Sequence, residues 1–339
     1  MMADPLRALF YPFESGLLRM PDKSASMLFI NARNCSALTT VPQENLTVQQ
    51  YFKPWENELE KAGYKTLPKT PQDKFDAIFL VAPHQHTETL YTLATALNTL
   101  KPGGLLVAAA ANDEGGRRLK KDAQTLGLTC TEESKYKSRI IWGKKESIDE
   151  KKCADAITAG SYQKICGDTF ISCPGIFSWN EIDPGSAMLA TAMPDKTLTG
   201  RGADFGCGFG FLSAHALKNN PGIQEIFCID ADARAVEACT RNISSDKAHF
   251  LWADIRPDNN QLPQNLDWII MNPPFHRGTQ TLPEAGITFI KAAQNCLRPN
   301  GQLWIVANTH LPYEKALSEA FSKYEKIKED HGFKIFKAG

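Results

Sequence analysis

Asn272-Pro273-Pro274-Phe275 places an amide, two residues without a backbone N–H and an aromatic ring in one short run. Prolines remove donors and hold the backbone extended. The carbonyl of Pro273 and the side-chain oxygen of Asn272 can therefore both accept from one incoming NH₂ group. An aryl or amide nitrogen is a poor nucleophile because its lone pair is delocalised. Gripping both its hydrogens favours a pyramidal nitrogen whose lone pair can attack, with proximity supplying most of the acceleration. Phe275 offers a face on which a planar group can stack, and His276 could take up the proton released. A rigid loop carrying a core aromatic would explain Pro-Pro-Phe alone. It would not explain what precedes it.

Upstream, Asp204-Phe205-Gly206-Cys207-Gly208-Phe209-Gly210 lies between an apolar run and a helical pattern over 213–218, so its glycines fall in a strand-to-helix turn. Gly206 and Gly208 remove Cβ atoms where a ligand must meet the backbone, and Gly210 lets the first helical turn pack close to the sheet. The next apolar run, 225–229, ends in Asp230, about 20 residues on, where a carboxylate can accept from both ribose hydroxyls of an adenosine. A dinucleotide site would share these two features. Asp204 separates the cases, because an acid before the turn suits the ammonium group of S-adenosylmethionine and would repel a pyrophosphate. Asp254, after a short strand around 250–252, could accept from an adenine amino group; a capping role explains it as well.

These residues need strands to carry them. Around Asp267 the chain reads as strand, site loop, helix over 285–297, an Arg298-Pro299-Asn300-Gly301 turn, then a strand over 302–307. Around Asp76 it reads as strand, loop, helix over 87–100, a Lys101-Pro102-Gly103-Gly104 turn, then a strand over 105–111. That is the grammar of parallel βαβ units written twice. The expected fold is therefore α/β, two tandem Rossmann-like domains made by duplication, with residues 1–155 degenerate and 156–339 catalytic. The boundary falls within the polar segment 146–167 that joins the halves. Val81-Ala82-Pro83-His84 stands where Asn272 to Phe275 stands, and the first strand, 27–30, is followed by Asn31-Ala32-Arg33-Asn34 and no glycine turn. The first half is expected to be silent, retained for folding support or substrate docking.

Length favours two domains, each large enough to bury a core. Cations and anions balance at 38 each, so global charge advertises no polyanion partner, and any nucleic-acid surface must be local. The best local run, Arg117 through Lys145 with Tyr136 and Trp142 among its cations, is more often a solvated face. Nine cysteines without a CxxC pair argue against zinc and against a disulfide framework, so no metal is expected. His84 and His86, lacking a ligand set at metal spacing, are read as loop or core residues. No stretch reaches about 18 uninterrupted apolar residues, and the start lacks the apolar core of a signal peptide. Reduced thiols fit a cytoplasmic protein, and two copies in one chain suit a monomer.

Taken with Gly175-Ile176-Phe177-Ser178, Ile182-Asp183-Pro184-Gly185-Ser186 and the run Val306 to Tyr313, the second half resembles the class I methyltransferases, and most closely the ribosomal RNA small-subunit methyltransferase C family. The resemblance implies S-adenosylmethionine bound by Asp204, Gly206, Gly208, Gly210, Asp230, Asp254 and Asn272, and a guanine amine in 16S ribosomal RNA held by Asn272, Pro273, Pro274 and Phe275. It implies a flap made by Phe177, Ser178, Asp183 and Gly185, and ribosomal RNA or the small subunit as partner. Phe205 and Phe209 are bulkier than the family's usual choices. From the residues alone, a protein glutamine amide, an adenine N6 amine and a non-catalytic RNA-binding assembly role all stay open.

Overall fold

The computed structural model describes residues 3–274 and 282–339. The chain divides into two compact units, Met1–Ser161 and Tyr162–Gly339.

In the first unit, β1 (Met27–Ile30), β2 (Leu46–Gln49), β3 (Thr66–Leu67), β4 (Phe75–Val81), β5 (Leu100–Ala111), β6 (Thr131–Lys135) and β7 (Ser138–Lys144) form a seven-stranded sheet of order β3-β2-β1-β4-β5-β7-β6. Pairing is parallel except along β7, which runs antiparallel to β5 and β6. Helices α1 (Pro5–Glu14), α2 (Lys53–Lys61), α3 (His86–Thr99), α4 (Arg117–Thr125) and α5 (Glu150–Gly160) complete it. Half of the polar joining segment is thus helix. Cys153 of α5 is buried in the core that α3 covers, and Gly160 lets the backbone close on Tyr91, whose Cβ would lie 2.3 Å from an added methyl. His86 reaches Asp122 of α4 at 3.1 Å. The basic run is not one face: Arg139 pairs with Glu132 at 3.2 Å, and Lys145 donates to the carbonyls of Leu97 and Leu100 at 2.7 and 2.9 Å at the end of α3.

The second unit opens with a hairpin of β8 (Gln163–Ile165) and β9 (Phe170–Ser172), then α6 (Pro184–Ala192). Its sheet contains β10 (Gly200–Phe205), β11 (Ile223–Asp230), β12 (Ala248–Trp252), β13 (Leu266–Met271), β14 (Leu297–Asn308), β15 (Tyr324–Asp330) and β16 (Phe333–Ala338), in the order β12-β11-β10-β13-β14-β16-β15. Helices α7 (Phe211–Asn219), α8 (Ala233–Asn242), α9 (Leu282–Cys296) and α10 (Tyr313–Ala320) cover it. Strand for strand this is the topology of the first unit. Both faces of β13 are buried, which is why it reads as a continuous apolar run. Trp268 and Ile270 face the core shared with α6, α7 and α8, while Ile269 and Met271 face the one shared with α9 and α10.

One ion pair recurs at the strand starts. Asp76 accepts from Ser26 N at 2.9 Å and pairs with Lys101 at 2.9 Å; Asp267 accepts from Arg201 N at 2.7 Å and pairs with Arg298 at 2.5 Å. Lys101, with Ser26 beside it, holds the Asp76 carboxyl down at about 2. The Asp that marks each repeat in the sequence is therefore a clasp at the amino end of the sheet, remote from the carboxyl edge where ligands bind.

Close packing of β10 on β13 gives a test of this architecture. A Cβ on Gly202 would lie 2.0 Å from Cε2 of Trp268, with the indole buried on both sides. Gly202→Ala should lower stability by about 1–3 kcal/mol through overpacking, seen as a lower urea midpoint at unchanged m-value.

Candidate active site

The register of the second sheet sets three residues in a row at its carboxyl edge. Phe205 pairs with Ile229 and with Met271, so Gly206, Asp230 and Asn272 each stand one step beyond a matched triplet. After β10 the chain turns through Gly206, Gly208 and Gly210, with φ of +79°, +54° and +93°, a backbone that only glycine adopts freely. Ile229 O accepts from Gly206 N and Cys207 N at 2.8 and 3.0 Å. A Cβ on Gly208 would enter open space, and one on Gly206 would come no nearer than 3.5 Å to Phe289, so both leave room over the backbone. Gly210 answers to a different neighbour from the one expected: its Cβ would meet Cys239 Sγ of α8 at 2.8 Å. The third glycine admits a helix rather than closing on the sheet.

Asp230 ties the turn to the next strand, accepting from Gly208 N at 3.0 Å and from Asp232 N at 2.9 Å. Asp204 is fully buried and takes the Ser213 hydroxyl at 2.6 Å; its Oδ1 has no hydrogen-bond partner among the described residues. Burial pushes its carboxyl up to about 7. Asp254 follows β12, is buried, and stands 3.7 Å from Arg256. The two bulky departures are core residues. Phe205 is fully buried, and Phe209 packs on Phe170 of the hairpin at 5.4 Å between ring centroids. Asn242 clamps that hairpin to the turn, donating to Ile171 O and Phe209 O at 2.8 Å each.

A small, half-open cleft lies over the turn. Phe177, Ser178, Asp183 and Ser186 line one side, Gly206 and Gly208 the floor, and Asn272 the end of β13. Phe177 is 56% exposed. Asp183 caps α6 by accepting from Ser186 N at 2.7 Å, and the same Oδ2 accepts from Asn272 Nδ2 at 2.7 Å. Asn272 Nδ2 also donates to Ser186 Oγ at 2.8 Å, while Asn272 Oδ1 is buried without a partner among the described residues. Gly185 is required beside this knot, since a Cβ there would lie 2.8 Å from the Phe333 ring and 3.0 Å from Asp183 Oδ2. Pro273 is buried and Pro274 half-buried; Phe275 and His276 lie outside the described residues.

The structure therefore gathers Gly206, Gly208 and Asn272 around one cleft, with Asp230 holding the turn. Asp204 and Asp254 are buried and are not among the cleft-lining side chains. Ser186, which the sequence offers only as the last residue of the Ile182 to Ser186 run, gains a role here as a partner of Asn272. Among the described residues no group of His, Cys, Asp and Glu is arranged to hold a metal, and no helix is long and apolar enough to cross a membrane.

The corresponding edge of the first unit carries different chemistry. By sheet register, Phe29 takes the place of Asp204, Asn31 of Gly206, Arg33 of Gly208, Gln50 of Asp230 and Val81 of Asn272. The Arg33 guanidinium stacks 3.8 Å from the Trp55 ring, filling the edge where Gly208 leaves space. Gln50 still accepts from Phe52 N, but its amide N–H turns to Ala32 O.

Both the second unit and the whole chain resemble known proteins. The methyltransferase small domain model matches residues 167–337. The chain is 32% identical over 269 residues to ribosomal RNA small subunit methyltransferase C of Aeromonas hydrophila, covering 78% of this chain and 77% of that one. It is 30% identical over 284 residues to the protein of the same name from Psychromonas ingrahamii, covering 78% and 76%. Among solved structures, the 16S rRNA N2 G1207 methyltransferase of T. thermophilus, in complex with AdoMet and guanosine, superposes with a TM-score of 0.81 at 22% identity, over 99% of this chain and 91% of that one. Both units thus share their fold with that protein.

The buried Asp204 makes a pH prediction for the ligand-free protein. Its folded pKa of about 7 exceeds the ordinary 3.8, so the folded state holds the proton longer than the unfolded chain. Its contribution to stability is full below about pH 4 and is lost as pH rises through about 7. Asp204→Asn should remove that slope, which thermal unfolding across pH 4–8 would read; an unchanged slope would assign the titration elsewhere.

Proposed function

The chain belongs to the methyltransferase small domain family and to the ribosomal RNA small subunit methyltransferase C family, and on that premise we propose that its second unit methylates the N2 amine of a guanine in small-subunit ribosomal RNA, with S-adenosylmethionine as donor. The observation that carries this reading is Asn272: it lines the cleft, its N–H groups are both spent on Asp183 and Ser186, and its Oδ1 is a buried acceptor without a partner among the described residues. A buried acceptor without a partner costs about 1–3 kcal/mol and is repaired by a ligand that brings an N–H.

The donor fits the residues present. Gly206 and Gly208 make a cradle that any side chain would fill. Asp230, which takes the Gly208 and Asp232 backbone N–H groups, stands at the end of the second strand where a ribose hydroxyl would donate to its carboxylate. Asp204 and Asp254 lie buried behind the cleft lining; Asp204 Oδ1, without a partner among the described residues, is the acceptor for an ammonium group, and Asp254, at the next strand end, the one for the adenine amine, once the ligand or a small shift of the turn brings them into reach. S-adenosylmethionine supplies an electrophilic methyl on a sulfonium centre that leaves readily. Asn272 Oδ1 and the carbonyl of Pro273 grip the amine hydrogens and aim the lone pair, and the donor-free prolines leave nothing to compete for it. Phe275 supplies the stacking face, and Phe177 adds exposed aromatic surface at the mouth.

The first unit, with its edge closed by Arg33 and Trp55, serves as folding support or RNA docking. With both units in one chain, the protein acts as a monomer on ribosomal RNA in the cytoplasm.

Labelled cofactor incubated with small subunits, naked ribosomal RNA and release factors tests the reading. Label should appear in RNA as N2-methylguanosine, and Asn272→Ala should lower kcat on the order of 10²-fold or more while cofactor affinity stays within a few-fold. Label in protein alone would overturn the guanine assignment, and undiminished transfer by the variant would overturn the role of Asn272.

A further inference from the structure

A primary amide is nearly symmetric in shape, so Asn272 could occupy its site in either of two orientations related by a half-turn. In one it offers the cleft an acceptor. In the other it offers two N–H donors, which would repel an amine. Ser186 Oγ does not settle the choice, because a hydroxyl can donate or accept. Asp183 does: an ionised carboxylate only accepts, and its Oδ2 lies 2.7 Å from Asn272 Nδ2. Asp183 is itself immobilised. The same oxygen takes Ser186 N at 2.7 Å at the start of α6, and that helix is rooted in the core by Leu189 and Ala190.

We propose that Asp183 is a positioning residue for methyl transfer, fixing the Asn272 amide so that Oδ1 faces the target amine and, by accepting its N–H, drawing electron density onto that oxygen. The inference rests on the amine-holding role of Asn272 proposed above. It adds that the acceptor is oriented by a carboxylate 89 positions earlier in the chain. Charge-assisted hydrogen bonds are the strong ones, and chains of them polarise one another. The carboxylate therefore both sets the amide and strengthens its oxygen as an acceptor.

A helix cap alone is the rival explanation, and three variants separate the two. Asp183→Ser retains an oxygen that caps α6 but is too short to reach Asn272. Asp183→Asn keeps an acceptor in place for both contacts. Asp183→Ala loses both. Thermal unfolding and cofactor titration should place the Ser and Asn variants near wild type and the Ala variant lower in stability. With small-subunit ribosomal RNA as substrate, Asp183→Ser should lose kcat on the order of 10²-fold at nearly unchanged KM, and Asp183→Asn should recover most of it. Wild-type turnover by Asp183→Ser would overturn the proposal, as would equal losses in the Ser and Asn variants.

A second readout needs no RNA. The side-chain NH₂ signals of Asn272, assigned by their loss in Asn272→Ala, should exchange slowly with water in wild type and Asp183→Asn and quickly in Asp183→Ser. Equal exchange in all three would sink the orientation argument. If wild type transfers no label to RNA, the functional reading fails, and the exchange measurement still decides the orientation.

Discussion

Parallel pairing is the constraint on which the site depends. Because β11 and β13 both run alongside β10 in matched register, their last residues arrive together at one edge, and Gly206, Asp230 and Asn272 come level although 66 positions of chain separate the first from the last. The backbone amides freed where β10 ends must then find partners. Ile229 O and Asp230 supply them, which holds the glycine turn open over the cleft. Removing Cβ atoms there leaves space that a ligand can enter, and the strand to one side delivers an amide to face it.

The duplication separates what this frame requires from what the chemistry requires. Both units keep the Asp clasp at the amino end, and both keep the strand order. Even the bond from the turn to the second strand persists, as Ala32 N to Gln49 O in one and Cys207 N to Ile229 O in the other. At the carboxyl edge they diverge. The first unit fills its edge with an Arg on a Trp and buries Phe29 where the second buries Asp204. An apolar ring spares the first unit the cost of a buried carboxylate.

The second unit retains the opposite choice. Asp204 Oδ1 and Asn272 Oδ1 are buried acceptors without described partners, and each is fixed by a neighbour that takes the rest of the group: Ser213 for the carboxylate, Asp183 and Ser186 for the amide. Such groups are costly to bury, and the neighbours named hold each in one orientation. Preorganised polarity of that kind lets a site hold a developing charge without rearranging.

The glycine turn, the Asn-Pro-Pro run, the acid ending the second strand and the doubled βαβ grammar were all legible in the chain, because each is a local pattern dictated by backbone geometry within one turn or strand. The joining segment was not read as a helix although Cys153, Ala156, Ile157 and Gly160 stand at helical spacing along the stripe that α5 lays on the core, because so short a pattern is easily hidden by the charged residues before and among it. Nor did the chain disclose that Gly210 yields to Cys239, that Asp204 is buried beneath the turn, or that Asp183 grips Asn272. Those facts belong to the tertiary structure. Each joins residues from different elements, and only the packing of helices on the sheet brings such residues within hydrogen-bond reach.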